Sequence, residues 1–329
     1  MDLTGLGVRL RRWATPRPLV VTAPGAHLCR WAVERELRLR GWDQAASPAE
    51  ADLLVVCGTP GPQMTTAVEQ VWQQLSTPRA RAQIPHPDQA AAALDGARAE
   101  LSDAAWQRRD LFSRPAGPVD GDMPGGLDMA DRGADRDGLS LDQLHPLLGP
   151  VLPDWPAGLQ LRLTMQGDVL QQVQAESLDV TAPAAPAAHA APADDRVLAW
   201  DALARLLGVL GWDTAASSTR LMRDMLLDGA AADPTRLVGR LRRARSLRWS
   251  TDRLGVLADA PGLARDVTGR WQHWLDVAAG DAPLARIPLD DAVDLLPALL
   301  TGTELGTARI IVASLPLEAV TARVAVAHG

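Results

Sequence analysis

The chain has 329 residues, of which 47% are hydrophobic, and this is enough to build two modest cores. Its formal net charge is −7 and its isoelectric point is near 5.4, whereas a nucleic-acid-binding protein usually has a basic face and a high isoelectric point. Lysine, asparagine and tyrosine are absent, so all strongly basic side chains are arginines. The abundance of Ala, Arg, Gly and Pro is typical of a high-GC bacterial genome.

Cysteine content and hydropathy limit the class of protein further. Cys29 and Cys57 are the only cysteines, too few for a disulfide framework in a chain of this length. No apolar stretch reaches the roughly 18 residues that a transmembrane helix needs, and no apolar signal core follows the arginines near the start. We therefore expect a cytoplasmic protein, which could lie against a membrane complex.

The first region, over residues 18–84, alternates strand and helix signals. A short β-branched run at residues 19–22 predicts a buried strand, and a helical pattern follows over residues 26–39 until Gly41. The continuous apolar run at residues 51–58 predicts a strand that is buried on both faces, as in a parallel sheet. A second helix is predicted over residues 65–75. The pattern indicates an α/β unit.

The rest of the chain divides by composition. Residues 90–106 could form one helix, and residues 113–138, rich in Gly, Pro and Asp, are typical of a linker. Alternation on both sides of Gln166, Gly167 and Asp168 predicts a β-hairpin. A Pro/Ala linker precedes helices from residue 196 onward and a possible final strand at 308–314. The predicted domains are an α/β domain (15–112), a linker (113–138), a β-rich module (139–180), a Pro/Ala linker (181–195) and a mainly α-helical domain (196–329).

A basic run lies within the predicted helix over residues 236–248. Its arginines fit the solvated face of a helix better than a phosphate-binding patch. They are Arg240, Arg242, Arg243, Arg245 and Arg248.

The α/β region resembles the cluster-bearing small subunit of complex I (NADH-quinone oxidoreductase) and of NiFe hydrogenases. The similarity rests on SPAEADLLVVCGT at residues 47–59, then Met64 and QLSTPR at residues 74–79. It implies a flavodoxin-like parallel sheet and a [4Fe–4S] cluster held by cysteines. Such a cluster needs four thiolates or close substitutes. Here Cys29, Cys57, His27 and His86 are the nearest candidates, and we predict no bound cofactor or metal.

The β-rich module resembles the start of the large quinone-site subunit, the homologue of the NiFe hydrogenase large subunit. The sequence from Gly149 to Pro153 (GPVLP) is followed by the hairpin segments in the family's order. The family carries a histidine where this chain has Leu152, and leucine can neither donate nor relay a proton. The resemblance implies a quinone or lipid-tail pocket at Gly149, Pro150, Leu152 and Trp155. It extends weakly to the helical tail.

Together the two resemblances imply a degenerate fusion of two partner subunits. We expect a pseudoenzyme with no catalytic residues, which serves as a structural or docking subunit of a complex I-like or membrane-bound hydrogenase-like assembly. Its partners would be the other subunits, including a membrane arm, and not nucleic acid. It would lie peripherally on the inner face of the cell membrane through these partners. The alternatives are a redox-active subunit with a diverged Fe–S or quinone site and an assembly factor for such a complex.

Overall fold

A computed structural model describes residues 15–114, 131–134, 140–178, 194–231, 233–257 and 266–317. The chain divides into two compact units, described separately below. The first comprises Met1–Pro153 and Arg162–Asp168, and the second comprises Asp154–Leu161 and Val169–Gly329.

The first unit begins with a three-stranded parallel sheet in the order β1–β2–β3. Its strands are β1 (Pro18–Thr22), β2 (Leu53–Cys57) and β3 (Ala80–Ile84). Central β2 is buried at all five positions, as its uninterrupted apolar run predicts. The predicted parallel α/β arrangement of this region is confirmed at this level.

Helices cover both faces of this sheet. They are α1 (His27–Arg40), α2 (Pro62–Gln74), α3 (Ala90–Ser102) and α4 (Ala104–Ser113). The side chains of β2 alternate between two apolar clusters, because successive residues of a strand point to opposite faces. Leu53, Val55 and Cys57 pack with α1 and α3. Leu54 and Val56 pack with α2.

Two predictions for residues 90–138 need correction. The single helix expected over residues 90–106 is two helices, because the Asp103 carboxylate accepts hydrogen bonds from the Ala105 and Trp106 amides and caps α4. The predicted linker 113–138 includes strand β4 (Asp131–Ala134). Residues 115–130 and 135–139 of that linker lie outside the described residues.

The second sheet is antiparallel where its register is resolved. The strand Ser140–Leu144 pairs with β4 and with the strand Leu159–Gln166, which also pairs with the strand Val169–Ser177. The predicted hairpin is confirmed, with Gly167 at a φ of 60° in its turn. Its remaining strands are β5 (Ser140–Leu144), β6 (Leu147–Leu148), β7 (Leu159–Gln166) and β8 (Val169–Ser177).

The second unit is mainly helical, as predicted for the chain beyond residue 196. Its central helix, Asp195–Val209, contacts three other helices, which are Asp213–Leu227, Val267–Ala279 and Leu305–Ala313. Residues 179–193 of the predicted Pro/Ala linker lie outside the described residues. The helices are α5 (Asp195–Val209), α6 (Asp213–Leu227), α7 (Thr235–Arg242), α8 (Arg245–Trp249), α9 (Val267–Ala279), α10 (Leu289–Leu300) and α11 (Leu305–Ala313).

Two predictions in the second unit were wrong in detail. The strand expected at residues 308–314 is helix α11, whose buried Ala308, Ile311 and Val312 follow helical spacing. The single helix expected over residues 236–248 is interrupted at Arg243 and Ala244, so that α7 and α8 are separate.

Candidate functional site

The carboxyl end of the parallel sheet is where open α/β sheets usually bind ligands. Here hydrogen bonds join the segments at the ends of the strands. The Gly58 amide donates to the carbonyl oxygen of Ile84 at 2.8 Å, and Gln83 Nε2 donates to the carbonyl oxygen of Gly58 at 2.7 Å. Gly58 has a φ of +81°, and a Cβ there would overlap the Cβ of Ala26. The chain's own atoms therefore occupy this part of the edge.

Cys29 and Cys57 lie at this edge of the sheet, in the core cluster that α1 and α3 cover. Cys29 Sγ donates a hydrogen bond to the carbonyl oxygen of Pro85 at 3.4 Å. Burial is the main cause that raises the pKa of both thiols, and Cys57 is fully buried in β2. Desolvation disfavours the thiolate, which is the form that binds metals. Both sulfurs lie in the apolar core, where a free cysteine ordinarily packs as a small hydrophobic residue.

The histidines expected near this edge do not complete a ligand set. The His27 ring packs edge-on against Trp31, with centroids 4.9 Å apart and an interplanar angle of 61°. Within the described residues, no three His, Cys, Asp or Glu side chains are grouped so that they could hold a metal ion. Two cysteines do not supply the four thiolates of the cluster that the resemblance implies.

The loop around Gly149 belongs partly to each unit. Gly149 has a φ of +80°, and Val151 joins the sheet cluster that α2 covers, within the first unit. Leu152 is half-buried there. Trp155 belongs to the second unit, where its indole Nε1 donates to the carbonyl oxygen of Leu159 at 2.7 Å. A common pocket for Gly149, Pro150, Leu152 and Trp155 stays a prediction.

The sequence analysis missed an ion pair beside Trp155. Asp154, at a left-handed φ of 56°, accepts a hydrogen bond from Arg220 Nη2 of α6 at 2.7 Å. The Asp154 carboxylate packs so closely on α5 that a Cβ at Gly208 would overlap it. Glycine inside a helix is otherwise unfavourable, so Gly208 is the one sequence signal for this contact.

A buried ionic network, also missed, lies between α5 and α6. Arg223 is fully buried and donates to Asp201 Oδ1 at 2.9 Å. It also donates to Asp224 Oδ1 through Nε at 3.0 Å and Nη2 at 2.9 Å. An acidic residue in the middle of the apolar α5 was the available signal, because buried carboxylates need partners. The network can fix helix pairing and presents no open reaction site.

Two more buried arginines hold local structure. Arg270 of α9 donates through Nε and Nη2 to Ser314 Oγ and through Nη1 to the carbonyl oxygen of Gly255. Burial lowers the pKa of Arg270 to about 10. Arg79 forms a two-pronged ion pair with Asp110, at 2.9 and 3.0 Å, and its guanidinium lies 3.9 Å from the centroid of the Trp72 ring.

No protein family model, curated protein or solved structure matches the chain. The two resemblances stated from sequence motifs therefore stay predictions. Among the described helices, none is both long and apolar enough to cross a bilayer. Peripheral association with a membrane stays a prediction as well.

Proposed function

We propose that this protein is a non-catalytic structural or docking subunit of a complex I-like or membrane-bound hydrogenase-like assembly. The motif resemblances supply the kind of assembly. The observation that carries the non-catalytic role is the shortage of cysteines. The chain has only two cysteines, Cys29 in α1 and Cys57 in β2, and both are buried in the apolar core, whereas a [4Fe–4S] cluster needs four thiolates or close substitutes.

In this proposal the parallel sheet retains the flavodoxin-like packing of the small subunit. Gly58 and Ala26 fill the carboxyl end of the sheet, where the family would hold its Fe–S cluster. Leu152 replaces a proton-handling imidazole with an aliphatic group, so a quinone head group at that loop would find no proton donor in this side chain. A quinone or lipid tail could still contact Gly149, Pro150, Leu152 and Trp155. Such contact would anchor a tail without reducing a head group.

The proposed partners are the other subunits of the assembly, including a membrane arm. The protein would then be cytoplasmic and peripheral on the inner face of the membrane. Two alternative functions have different structural requirements. A redox-active subunit would need a diverged Fe–S or quinone site, and an assembly factor would leave the mature complex.

The test is to purify the tagged full-length chain, with its partners, from solubilised membranes of its native host. We expect co-purification of oxidoreductase subunits at fixed stoichiometry, and no iron or visible cluster absorption in the chain once it is separated from them. Cys29→Ser should leave the electron-transfer activity of the purified assembly unchanged, because the thiol is proposed to have only a packing role.

Each alternative predicts a different result in the same preparation. Stoichiometric iron with a cluster spectrum that Cys29→Ser removes would replace the proposal with the redox-active subunit. Association only with immature subcomplexes would replace it with the assembly factor. Absence of any oxidoreductase subunit from the purified material would refute all three assignments.

A further inference from the structure

The strongest charge asymmetry in the chain lies around helices α7 and α8. Residues 233–257 contain seven arginines and two aspartates, a formal charge of +5, while the whole chain carries −7. The remaining residues therefore carry −12. We call the exposed side chains of this segment the basic surface. Its members are Arg236, Arg240, Arg242, Arg243, Arg245, Arg248, Trp249, Arg253 and Val256, all of which are exposed.

The arrangement of buried residues shows why these side chains face outward. Val238 and Leu241 of α7 and Leu247 of α8 are buried and attach the two short helices to the rest of the unit. In α8, Arg245 is three and four positions before Arg248 and Trp249, so the three share one face of the helix. The aromatic ring and two guanidinium groups thus face solvent together.

Most of the arginine charge on this surface is not neutralised by neighbouring carboxylates. Arg242 pairs with Asp276, and Arg253 lies 3.9 Å from Asp252 with its side chain 91% exposed. The Arg240 guanidinium lies 5.5 Å from the centroid of the Trp212 ring. Arg236 interacts electrostatically with Asp233. No described carboxylate forms an ion pair with Arg243, Arg245 or Arg248.

Two large apolar side chains are exposed within this basic surface. Trp249 is 79% exposed and Val256 is 53% exposed. The second unit buries three other tryptophans almost completely: Trp200, Trp271 and Trp274. Tryptophan combines a large apolar ring with a polar N–H and is enriched at membrane–water interfaces, so its exposure beside Arg245 and Arg248 favours a contact outside the unit.

We propose that the basic surface binds the anionic headgroup layer of a lipid bilayer, with Trp249 and Val256 inserted at the interface. Arginine clusters attract anionic lipids, and tryptophan favours the boundary between headgroups and acyl chains. A flat bilayer can be contacted by the face of α8 that carries Arg245, Arg248 and Trp249. This inference rests on charge and exposure and is independent of the proposed function.

A single-stranded nucleic acid is the competing polyanion. Proteins that bind it stack successive bases on several aromatic side chains along a basic groove. The basic surface exposes one tryptophan together with an aliphatic valine, and a long strand would also meet the acidic remainder of the chain. A bilayer is therefore the better match.

The test is co-sedimentation of the full-length protein with vesicles of phosphatidylcholine alone and of phosphatidylcholine mixed with phosphatidylglycerol. We expect binding only to the mixed vesicles, with an affinity that falls as salt is added. The double variant Arg245→Gln/Arg248→Gln should bind about 30-fold more weakly, from about 1 kcal/mol per arginine. Trp249→Ala should bind about tenfold more weakly, which corresponds to roughly 60 Å² of inserted apolar surface at about 25 cal/mol per Å².

Matched controls come from α4 in the first unit, which also carries two arginines and an exposed aromatic ring. Arg108→Gln/Arg109→Gln and Phe112→Ala should bind the mixed vesicles as the wild type does. Circular dichroism would establish that every variant is folded, and the salt dependence of the wild type tests the proposal without any variant. Equal binding to both vesicles, unchanged binding by both α8 variants, or tighter binding to an oligonucleotide than to the mixed vesicles would overturn it.

Discussion

The parallel-sheet unit and the helical unit differ in where their buried arginines lie. In the first unit, both faces of β2 are covered by aliphatic residues and thiols, and its buried arginine, Arg79, is joined to α4 through Asp110. In the second unit, Arg223 lies within the helix packing and contacts Asp201 and Asp224. The sheet is specified mainly by its apolar pattern, whereas the pairing of α5 and α6 also depends on charges.

This difference follows from how strands and helices satisfy their backbone hydrogen bonds. A parallel strand gains its partners through ladder hydrogen bonds, so its side chains can all be apolar. Two helices have no backbone bonds between them, and many apolar packings have similar energies. We infer that the buried ionic contact of Arg223 distinguishes one packing of α5 and α6 from the others.

The largest expected effect is the loss of stability on removing Arg223. Arg223→Leu leaves Asp201 and Asp224 buried without their guanidinium partner, which should lower the free energy of unfolding by about 3–5 kcal/mol. Urea denaturation followed by circular dichroism measures this change. Hydrogen exchange should show the loss of protection in peptides from α5 and α6.

The control for this variant is Arg236→Leu, which replaces an exposed arginine in the same unit. Its effect should stay within about 0.5 kcal/mol. The double variant Arg223→Leu/Asp224→Asn should recover part of the lost stability, because it removes one unpaired charge. A stability of Arg223→Leu within about 1 kcal/mol of the wild type would mean that the network does not specify the helix pairing.

A smaller effect is expected for Arg79 in the sheet unit. Arg79→Lys keeps the positive charge but cannot make the two-pronged contact with Asp110 or stack flat on Trp72, so we expect a loss of about 2 kcal/mol. Arg81→Lys is the matched control, since Arg81 lies in β3, two positions after Arg79, and forms an exposed pair with Glu69. That control should cost less than about 0.5 kcal/mol in the same urea titration. Equal losses of unfolding free energy in the two variants would contradict the prediction that the buried Arg79 pair contributes more to stability than the exposed Arg81 pair.

The smallest expected effect is the pH dependence that the buried thiols confer on the sheet unit. Burial raises the pKa of Cys57 above its value in the unfolded chain. The stabilisation from the protonated thiol is then complete below about pH 8.5 and is lost as the pH rises, at about 1.4 kcal/mol per pH unit. The chain has no lysine or tyrosine whose titration would obscure this slope.

Unfolding free energies between about pH 8.5 and 10 give the measurement, since Arg270 is expected to contribute in the opposite direction above about pH 10. Cys57→Ala should be less stable at neutral pH but should show a shallower alkaline slope. An identical slope in wild type and Cys57→Ala would show that the Cys57 thiol is not the source.

Sequence patterns predicted most of the fold in the sheet unit and less in the helical unit. The run around Cys57 and the hairpin at Gly167 could be assigned because both are local patterns of apolar and turn residues. Helix α11 was predicted as a strand because its short apolar run, which includes Ile310 and Ile311, fits either element. Its packing on α5 decides between them.

The candidate site shows the same division. The sequence identified Cys29 and Cys57 and the shortage of thiolates, because residue identity alone decides how many ligands exist. It did not indicate that Cys29 Sγ contacts the Pro85 carbonyl or that Asp154 pairs with Arg220. These contacts join residues 56 and 66 positions apart, and no local pattern encodes them.

The amino-acid sequence by itself determined the parallel strands, the hairpin, the helical character of the second half and the scarcity of metal ligands. Each of these depends on neighbouring residues or on composition. Only the tertiary structure decided which charges are buried together, which thiols are desolvated and which arginines remain exposed with Trp249. The physical reason is that burial and pairing depend on residues distant in the chain, which come together only when the units are folded.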